Sequence, residues 1–324
     1  MKEPHDDQVL LNVHQLSKQF PIPSSKDIVH AVNEVSFKLR KGEVLGIVGE
    51  SGSGKTTVGR CILGLEQVTS GEIHFKGYPL HRLPEDEWSK VRPKLQMVFQ
   101  DPYDSLHPRM TIQKVLEQPL YLMQDMSKND LQERVFELLD MVRLPRETIS
   151  KYAYELTGGQ LQRIGIARAI STNPDLIVLD EPTSVLDIAI RGEILRLLKD
   201  LQQKQGFSYI FISHDLSAVR NISDRVAIMY LGKIVELASS ASLFKQQHHP
   251  YSRALLSAAL FPDPSRRQLP FKLKGEIPSP IHLPVGCYLK ARCPNAMDVC
   301  SQKPPELKEV KENHFSSCLL SEEW

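Results

Sequence analysis

The stretch VLGIVGESGSGKT at residues 44–56 decides the fold of this 324-residue chain. A short apolar run leads into the pattern G-x-x-x-x-G-K-[ST], which is typical of a loop that binds phosphate. The run predicts a buried strand, and residues 55–65 predict a helix. A glycine-rich loop between the two lets backbone N–H groups close around an anion, at which the helix N-terminus also directs its dipole. The stretch therefore predicts a nucleotide phosphate site, although an unliganded glycine-rich turn is the alternative.

Two side chains of this loop are suited to binding the phosphates and Mg²⁺. Lys55 supplies a point charge for the β- and γ-phosphates, and the hydroxyl of Thr56 is suited to binding Mg²⁺. The candidate nucleotide contacts are Gly49, Glu50, Ser51, Gly52, Ser53, Gly54, Lys55, Thr56 and Thr57.

A second strand, LIVLDE at residues 176–181, ends in two acids. Asp180 would hold Mg²⁺ through its water shell, and Glu181 would orient and deprotonate an attacking water molecule. Adjacent acids at a strand end are often only a solvated loop, but the phosphate loop favours the catalytic interpretation. The pair predicts hydrolysis of the bound nucleotide.

The segment LTGGQ at residues 156–160 precedes a helical run and predicts a second anion site. Its candidate contacts are the hydroxyl of Thr157 and the free N–H groups at the helix start, together with Gly158, Gly159 and Gln160. A glycine-softened helix start is the alternative. A chain with one nucleotide loop has a use for a second phosphate site if two protomers share each nucleotide.

Strands and helices alternate along the chain, which predicts an α/β fold with a parallel sheet. Residues from about 105 to 170 predict a helical subdomain, in which Leu131, Val135 and Leu138 fall on one helix face. After residue 246 the sequence is rich in proline and has little periodicity, so we expect an extended segment leading to a cysteine-bearing tail.

Taken in order, the motifs resemble those of the ATP-binding subunits of ABC transporters. The motifs that carry the resemblance over residues 9–245 are the phosphate loop, Gln100 at a strand end, LTGGQ (156–160), LIVLDE (176–181), SVLD (184–187) and SHD (213–215). The resemblance implies a P-loop NTPase core of the RecA-like type with a helical subdomain, followed by a small extension rich in proline and cysteine at residues 246–324. It implies ATP and Mg²⁺ as the cofactors.

The resemblance also implies further site residues. Gln100 would contact Mg²⁺ and the attacking water, Asp187 would help to join two protomers, and His214 would contact the γ-phosphate. Phe20 stands where the family has an aromatic ring that stacks on adenine. Glu181, His214, Gln100 and Lys55 would then be the catalytic residues.

Two positions depart from the family pattern. Thr157 stands where serine is usual and keeps the hydroxyl group, and Val185 replaces a common alanine near Asp187. We expect function to be retained, with an effect on the rate or on the dimer contact.

The C-terminal part narrows the resemblance to the dipeptide, oligopeptide and nickel branch of ABC importers. The segments that carry it are QDPYDSLHPRM (100–110), HPYSRALL (249–256), GEIPSP (275–280) and GCYLKARCP (286–294). The branch implies a role in powering peptide import, with nickel or metal-chelate import as the alternative within the branch. A soluble ABC ATPase outside transport and a metal-regulated ATPase are further alternatives.

Four cysteines crowd the tail: Cys287, Cys293, Cys300 and Cys318. Their spacing lacks the short C-x₂₋₄-C knuckles of structural zinc sites, and four cysteines without histidine suit an iron–sulfur cluster. Some members of the branch bind a [4Fe–4S] cluster there. Zinc and free thiols remain the alternatives.

Composition limits the partners. The 40 Lys and Arg residues nearly balance 39 Asp and Glu residues, which disfavours nucleic acid as a ligand. No apolar run approaches the length needed to span a bilayer, and the first ten residues lack the order of a signal peptide.

The resemblance implies two membrane-spanning permease subunits, a second identical or related ATPase subunit and, indirectly, an extracellular solute-binding receptor. It implies a peripheral position on the cytoplasmic face of the membrane.

Overall fold

The computed structural model describes residues 9–23, 25–121, 126–258 and 271–320. They form two compact units. The first comprises the described residues of 1–39, 44–82 and 213–324, and the second comprises residues 40–43 and the described residues of 83–212. The C-terminal extension thus belongs to the same unit as the phosphate loop.

The first unit holds two groups of strands. The strands are β1 (Val9–Pro21), β2 (Ile28–Arg40), β3 (Val44–Val48), β4 (Ser70–Phe75), β5 (Tyr78–Pro79), β9 (Arg225–Tyr230), β10 (Lys233–Ser239), β11 (Lys308–Lys311) and β12 (His314–Ser316). One group has the order β2-β1-β4-β5, and the other has the order β11-β12-β10-β9-β3, with β3 parallel to β9. Its helices are α1 (Lys55–Ile62), α8 (Leu216–Ile222), α9 (Ser240–Lys245) and α10 (Pro250–Ala258).

The second unit combines a short parallel sheet with helices. Its strands β6 (Leu95–Val98), β7 (Leu176–Asp180) and β8 (Ser208–Ile212) pair in the order β8-β7-β6. Its helices are α2 (Glu85–Val91), α3 (Pro102–Ser105), α4 (Ile112–Tyr121), α5 (Lys128–Met141), α6 (Gly158–Ile170) and α7 (Ile188–Gln205). All residues of β7 and β8 are buried, as expected for strands covered on both faces.

The strands predicted at residues 44–48 and 176–180 and the helix predicted from residue 55 are confirmed. Residues 105–170 contain α4, α5 and α6, and residues 122–125 lie outside the described part. The expectation of an extended segment after residue 246 is wrong at residues 250–258, which form α10. Pro250 supplies a preset φ at the first helical position, and Tyr251, Ser252 and Leu256 are buried, so tertiary burial stabilises a helix with weak periodicity. Residues 259–270 of the same segment lie outside the described part.

A buried polar cluster fixes the extension to β10. The carboxylate of Glu236, which is fully buried, accepts hydrogen bonds from the backbone N–H groups of His248 (2.7 Å) and His249 (3.2 Å). It also lies 2.7 Å from Nε2 of His314 on β12, whose Nδ1 is 3.0 Å from the hydroxyl of Ser242. Because a buried carboxylate without partners is very costly, this cluster specifies where β12 must lie. His314 is therefore a packing residue and not a surface one.

Burial of His249 predicts a pH-dependent stability. Burial lowers the pKa of His249 from 6.5 to about 4, while Glu236 acts in the opposite direction. Its Nδ1 accepts the N–H of Tyr251, so protonation there would also break a hydrogen bond. The unfolded chain binds this proton near pH 6.5 and the folded chain only near pH 4, so the free energy of unfolding should fall by about 3 kcal/mol as pH drops between these values.

Urea unfolding at several pH values measures this effect. The variant His249→Asn keeps an acceptor for Tyr251 but does not titrate, so its stability should fall less over the same pH range. His282→Asn, which replaces an exposed histidine, is the matched control and should follow the wild type. Equal pH profiles for His249→Asn and the wild type would contradict the assignment.

Candidate functional site

The phosphate loop is wedged between backbone segments of the first unit. A Cβ on Gly49 would lie 2.2 Å from the carbonyl oxygen of Met229, and one on Gly54 would lie 2.2 Å from that of Ala31. Gly54 also has φ +97° and caps α1, a backbone conformation that side chains rarely adopt. Both glycines are therefore required by space as well as by loop geometry.

Lys55 begins α1 and turns back over this loop. Its Nζ donates to the carbonyl oxygens of Gly49 and Glu50, both at 2.9 Å, and lies 3.3 Å from the hydroxyl of Ser53. The ammonium group of Lys55 is thus held inside the loop, although Lys55 is the first residue of the helix that follows the loop. Thr56 next to it is exposed. This arrangement suits the binding of a phosphate chain at a helix N-terminus.

The parallel strands of the second unit gather the predicted acids at one edge. Asp180 ends β7 opposite Ile212 of β8, and Val98 near the end of β6 lies opposite Leu179. Because carboxyl ends of parallel strands share an edge, Gln100, which follows β6 and is exposed, lies at the same edge as the buried Asp180.

Glu181 has a strained backbone at this edge. Its φ of +45° is in the left-handed region, which costs about 1–2 kcal/mol for a residue with a side chain. Its N–H donates to the carbonyl of Ile212 at 2.9 Å, and its own carbonyl accepts from the N–H and hydroxyl of Ser184. These bonds fix an acidic residue in a conformation that the sequence alone does not reveal.

The LTGGQ segment forms the start of α6 through a reciprocal cap. The hydroxyl of Thr157 accepts from the N–H of Gln160 at 3.4 Å, and Oε1 of Gln160 accepts from the N–H of Thr157 at 3.0 Å. Thr157 therefore replaces the family's serine without loss of the capping hydroxyl.

Residues after β7 leave an apolar surface exposed around Asp187. Val185 is 57 % exposed and Ile188 is 86 % exposed, while Asp187 precedes α7 as an exposed residue. Leu186 lies between these positions in the sequence and packs near Gly158: a Cβ added to Gly158 would lie 3.5 Å from Cδ2 of Leu186. The Asp187 segment and the start of α6 are thus neighbours.

Other predicted site residues lie in the first unit. His214 follows β8 and is exposed, and the next residue, Asp215, caps α8 by accepting from Ser217 and Ala218. Phe20 near the end of β1 is half-buried, with Nζ of Lys18 4.6 Å from its ring centre. The role of Phe20 toward adenine stays a prediction.

The tail cysteines come together around one pocket. One apolar pocket is lined by Cys287, Cys293, Cys300 and Cys318. Among the described residues, no group of three or more His, Cys, Asp or Glu side chains is arranged to hold a metal ion.

The tail thiols favour the protonated form. Burial raises the pKa of Cys287 and Cys293 and raises that of Cys318 to about 11, and the neighbouring thiols add to the effect. The expected [4Fe–4S] cluster is not supported, because the described residues contain no group arranged to hold a metal ion.

Comparison with known proteins assigns the family. Residues 32–184 match the model of the ABC transporter family, and residues 235–300 match that of the oligopeptide/dipeptide transporter C-terminal region. A putative peptide import ATP-binding protein of Brucella ovis is 47% identical over 310 residues, covering 96% of this chain and 97% of the relative. The oligopeptide transport ATP-binding protein AppF of Bacillus subtilis is 44% identical over 324 residues, covering 97% and 98%.

The chain belongs to the ATP-binding subunits of ABC transporters. A solved structure of the ATP-binding cassette MJ0796, dimeric and bound to ADP and phosphate, matches with a TM-score of 0.65 and 30% identity, covering 71% of this chain and 98% of the cassette. The chain is an ATPase of this family, and ATP with Mg²⁺ is its cofactor set. None of the helices in the described part of the chain has the length and apolar character needed to cross a bilayer.

Sequence reasoning missed two contacts of the phosphate loop. Arg292 of the extension pairs with Glu50 at 2.9 Å, and the hydroxyl of Tyr251 accepts the N–H of Glu50 at 2.9 Å. Tyr251 and Arg292 lie 201 and 242 residues from Glu50 along the chain, so no local sequence pattern indicates these contacts. The one weak indication is the glutamate itself, because a negative charge in an anion-binding loop calls for a compensating cation.

Close packing at the start of α6 predicts the effect of two matched substitutions. A Cβ on Gly159 would lie 2.8 Å from Cγ2 of Ile190, whereas a Cβ on Gly165 of the same helix meets nothing within 4 Å. Gly159→Ala should lower the free energy of unfolding by about 1–2 kcal/mol, because α6 and α7 must move apart. Gly165→Ala should leave it unchanged or raise it by up to about 1 kcal/mol. Urea unfolding compares the two, and equal effects would show that this packing does not limit stability.

Proposed function

We propose that this subunit uses ATP hydrolysis to power the import of peptides through a membrane ABC transporter. The observation that carries the proposal is the continuous match of cassette and C-terminal region to relatives named for peptide or oligopeptide import. Nickel import and a soluble role outside transport have no comparable support.

The chemistry proposed for the site uses the residues already described. Lys55 and the N–H groups of the phosphate loop bind the phosphates, and Glu181 deprotonates the attacking water, while Gln100 and His214 orient the reacting groups. Thr56, Gln100 and Asp180 supply the oxygen ligands that Mg²⁺ prefers. When bound, the ion neutralises charge that develops on the phosphates.

We propose further that two ATPase subunits, identical or related, bind two ATP molecules between them. The start of α6, where Thr157 and Gln160 cap each other, offers the N–H groups of Gly158 and Gly159 to a phosphate held by the partner's loop. The exposed Val185 and Ile188 beside Asp187 support this proposal, because apolar side chains of this size are covered in a stable assembly. ATP then favours the closed dimer, and hydrolysis releases it.

The surface after β6 is proposed to contact the two permease subunits. Phe99 is 39 % exposed and Tyr103 is 53 % exposed, on either side of Gln100 and at the start of α3. Movement of this surface with the dimer would transmit closure to the permeases. We propose that the subunit lies on the cytoplasmic face of the membrane, with the extracellular solute receptor as an indirect partner.

Glu181→Gln should abolish ATP hydrolysis, reducing the rate by about 10²-fold or more, while leaving ATP binding intact. With Mg·ATP the variant should elute as a stable dimer, measured by size-exclusion chromatography with light scattering. If the preferred partner is a related subunit, that subunit must be added. Lys55→Ala is the control that should lose nucleotide binding itself. A wild-type hydrolysis rate for Glu181→Gln would contradict the proposed base.

Uptake by a strain lacking the gene tests the transported solute. Labelled di-, tri- and tetrapeptides should enter more slowly than in the parent strain, and the wild-type gene but not Glu181→Gln should restore their uptake. Loss of Ni²⁺ uptake with normal peptide uptake would favour the nickel alternative. Normal uptake of both, with the protein sedimenting with ribosomes, would favour a soluble role.

A further inference from the structure

The C-terminal extension reaches the phosphate loop through one arginine. Arg292 lies between two of the tail cysteines in sequence and is only 8 % exposed. Its backbone is fixed on both sides, since its N–H donates to Leu289 at 2.8 Å and its carbonyl accepts from Lys274 at 2.9 Å. A rigid backbone presents the guanidinium group at a defined place.

The guanidinium group makes a two-bond contact with Glu50. Its Nη1 and Nη2 donate to the two carboxylate oxygens at 2.9 Å and 3.2 Å. This hydrogen bonding is the main reason that the pKa of Arg292 is raised. The fork geometry fixes the orientation of the carboxylate as well as its position.

Glu50 is held at its backbone as well. Its N–H donates to the hydroxyl of Tyr251, a fully buried residue of α10, at 2.9 Å. Its carbonyl accepts from Nζ of Lys55 at 2.9 Å. The same residue therefore links the extension to the lysine that is proposed to bind the phosphates.

Charge explains why the pair matters for nucleotide binding. A carboxylate in a loop that binds a polyanion repels the ligand unless a cation compensates it. The side chains of Arg292 and Glu50 are 10 % and 30 % exposed, so solvent screens this charge only partly. The guanidinium group compensates the charge of the carboxylate.

We propose that Arg292 is a positioning residue for ATP: by pairing with Glu50, it holds the phosphate loop ready for the nucleotide. The C-terminal extension is then part of the ATP-binding machinery and not only an attachment to it. This inference concerns ATP affinity and does not depend on which solute is transported.

The test measures ATP affinity and steady-state kinetics of the full-length chain with three variants. Arg292→Gln should weaken ATP binding and raise KM for ATP by about tenfold, with kcat at saturating ATP changed by less than about twofold. Glu50→Gln in the same chain removes the charge that needs compensation, so Glu50→Gln/Arg292→Gln should bind ATP more tightly than Arg292→Gln alone. Arg134→Gln, which breaks the exposed pair with Glu137, is the matched control and should bind ATP like the wild type.

Two results would overturn the proposal: unchanged ATP affinity in Arg292→Gln, or a double variant as weak as Arg292→Gln. The second would indicate that the arginine acts only by packing. If Arg292→Gln does not fold, Arg292→Lys takes its place, because it keeps the charge but not the two-bond fork. The KM of Arg292→Lys for ATP should lie above that of the wild type. If this KM equals the wild-type value, and if adding Glu50→Gln to Arg292→Lys does not change it, the positioning role is refuted.

Discussion

The loop between β3 and α1 must keep its backbone N–H groups open toward an anion, and the rest of the first unit is built around this requirement. Gly49 and Gly54 approach backbone carbonyls of Met229 and Ala31 so closely that no side chain fits. Neighbouring strands therefore confine the loop, in addition to the bonds that Lys55 makes to Gly49 and Glu50. Such preorganisation avoids the entropy cost of ordering the loop when nucleotide binds.

The C-terminal extension contributes to the same preorganisation from two directions. The buried Glu236 cluster fixes β12 and the residues before α10, and α10 carries Tyr251 to the backbone of Glu50. Arg292 approaches the side chain of that residue from the cysteine-bearing segment. One loop residue thus receives support from two segments of the extension, which explains why the extension folds in one unit with the loop.

The second unit shows how the residue proposed as the catalytic base can be strained and still stable. The left-handed backbone at Glu181 is compensated by bonds to Ile212 and Ser184, both in the same unit. Beyond it, the chain leaves Val185 and Ile188 exposed. The strained backbone of Glu181 and the exposed Val185 and Ile188 both lower the stability of the isolated chain, and they are the features that catalysis and dimer formation would use.

The sequence by itself determined the α/β class, the phosphate loop, the acids at the end of β7 and the start of α6. These depend on local spacing, since a strand–loop–helix or a helix cap is complete within about ten residues. Only the tertiary structure decided that residues 250–258 form a helix and that the four tail cysteines line one pocket. It also decided that Arg292 meets Glu50. These features depend on burial and on contacts between residues distant in sequence, which no local pattern encodes.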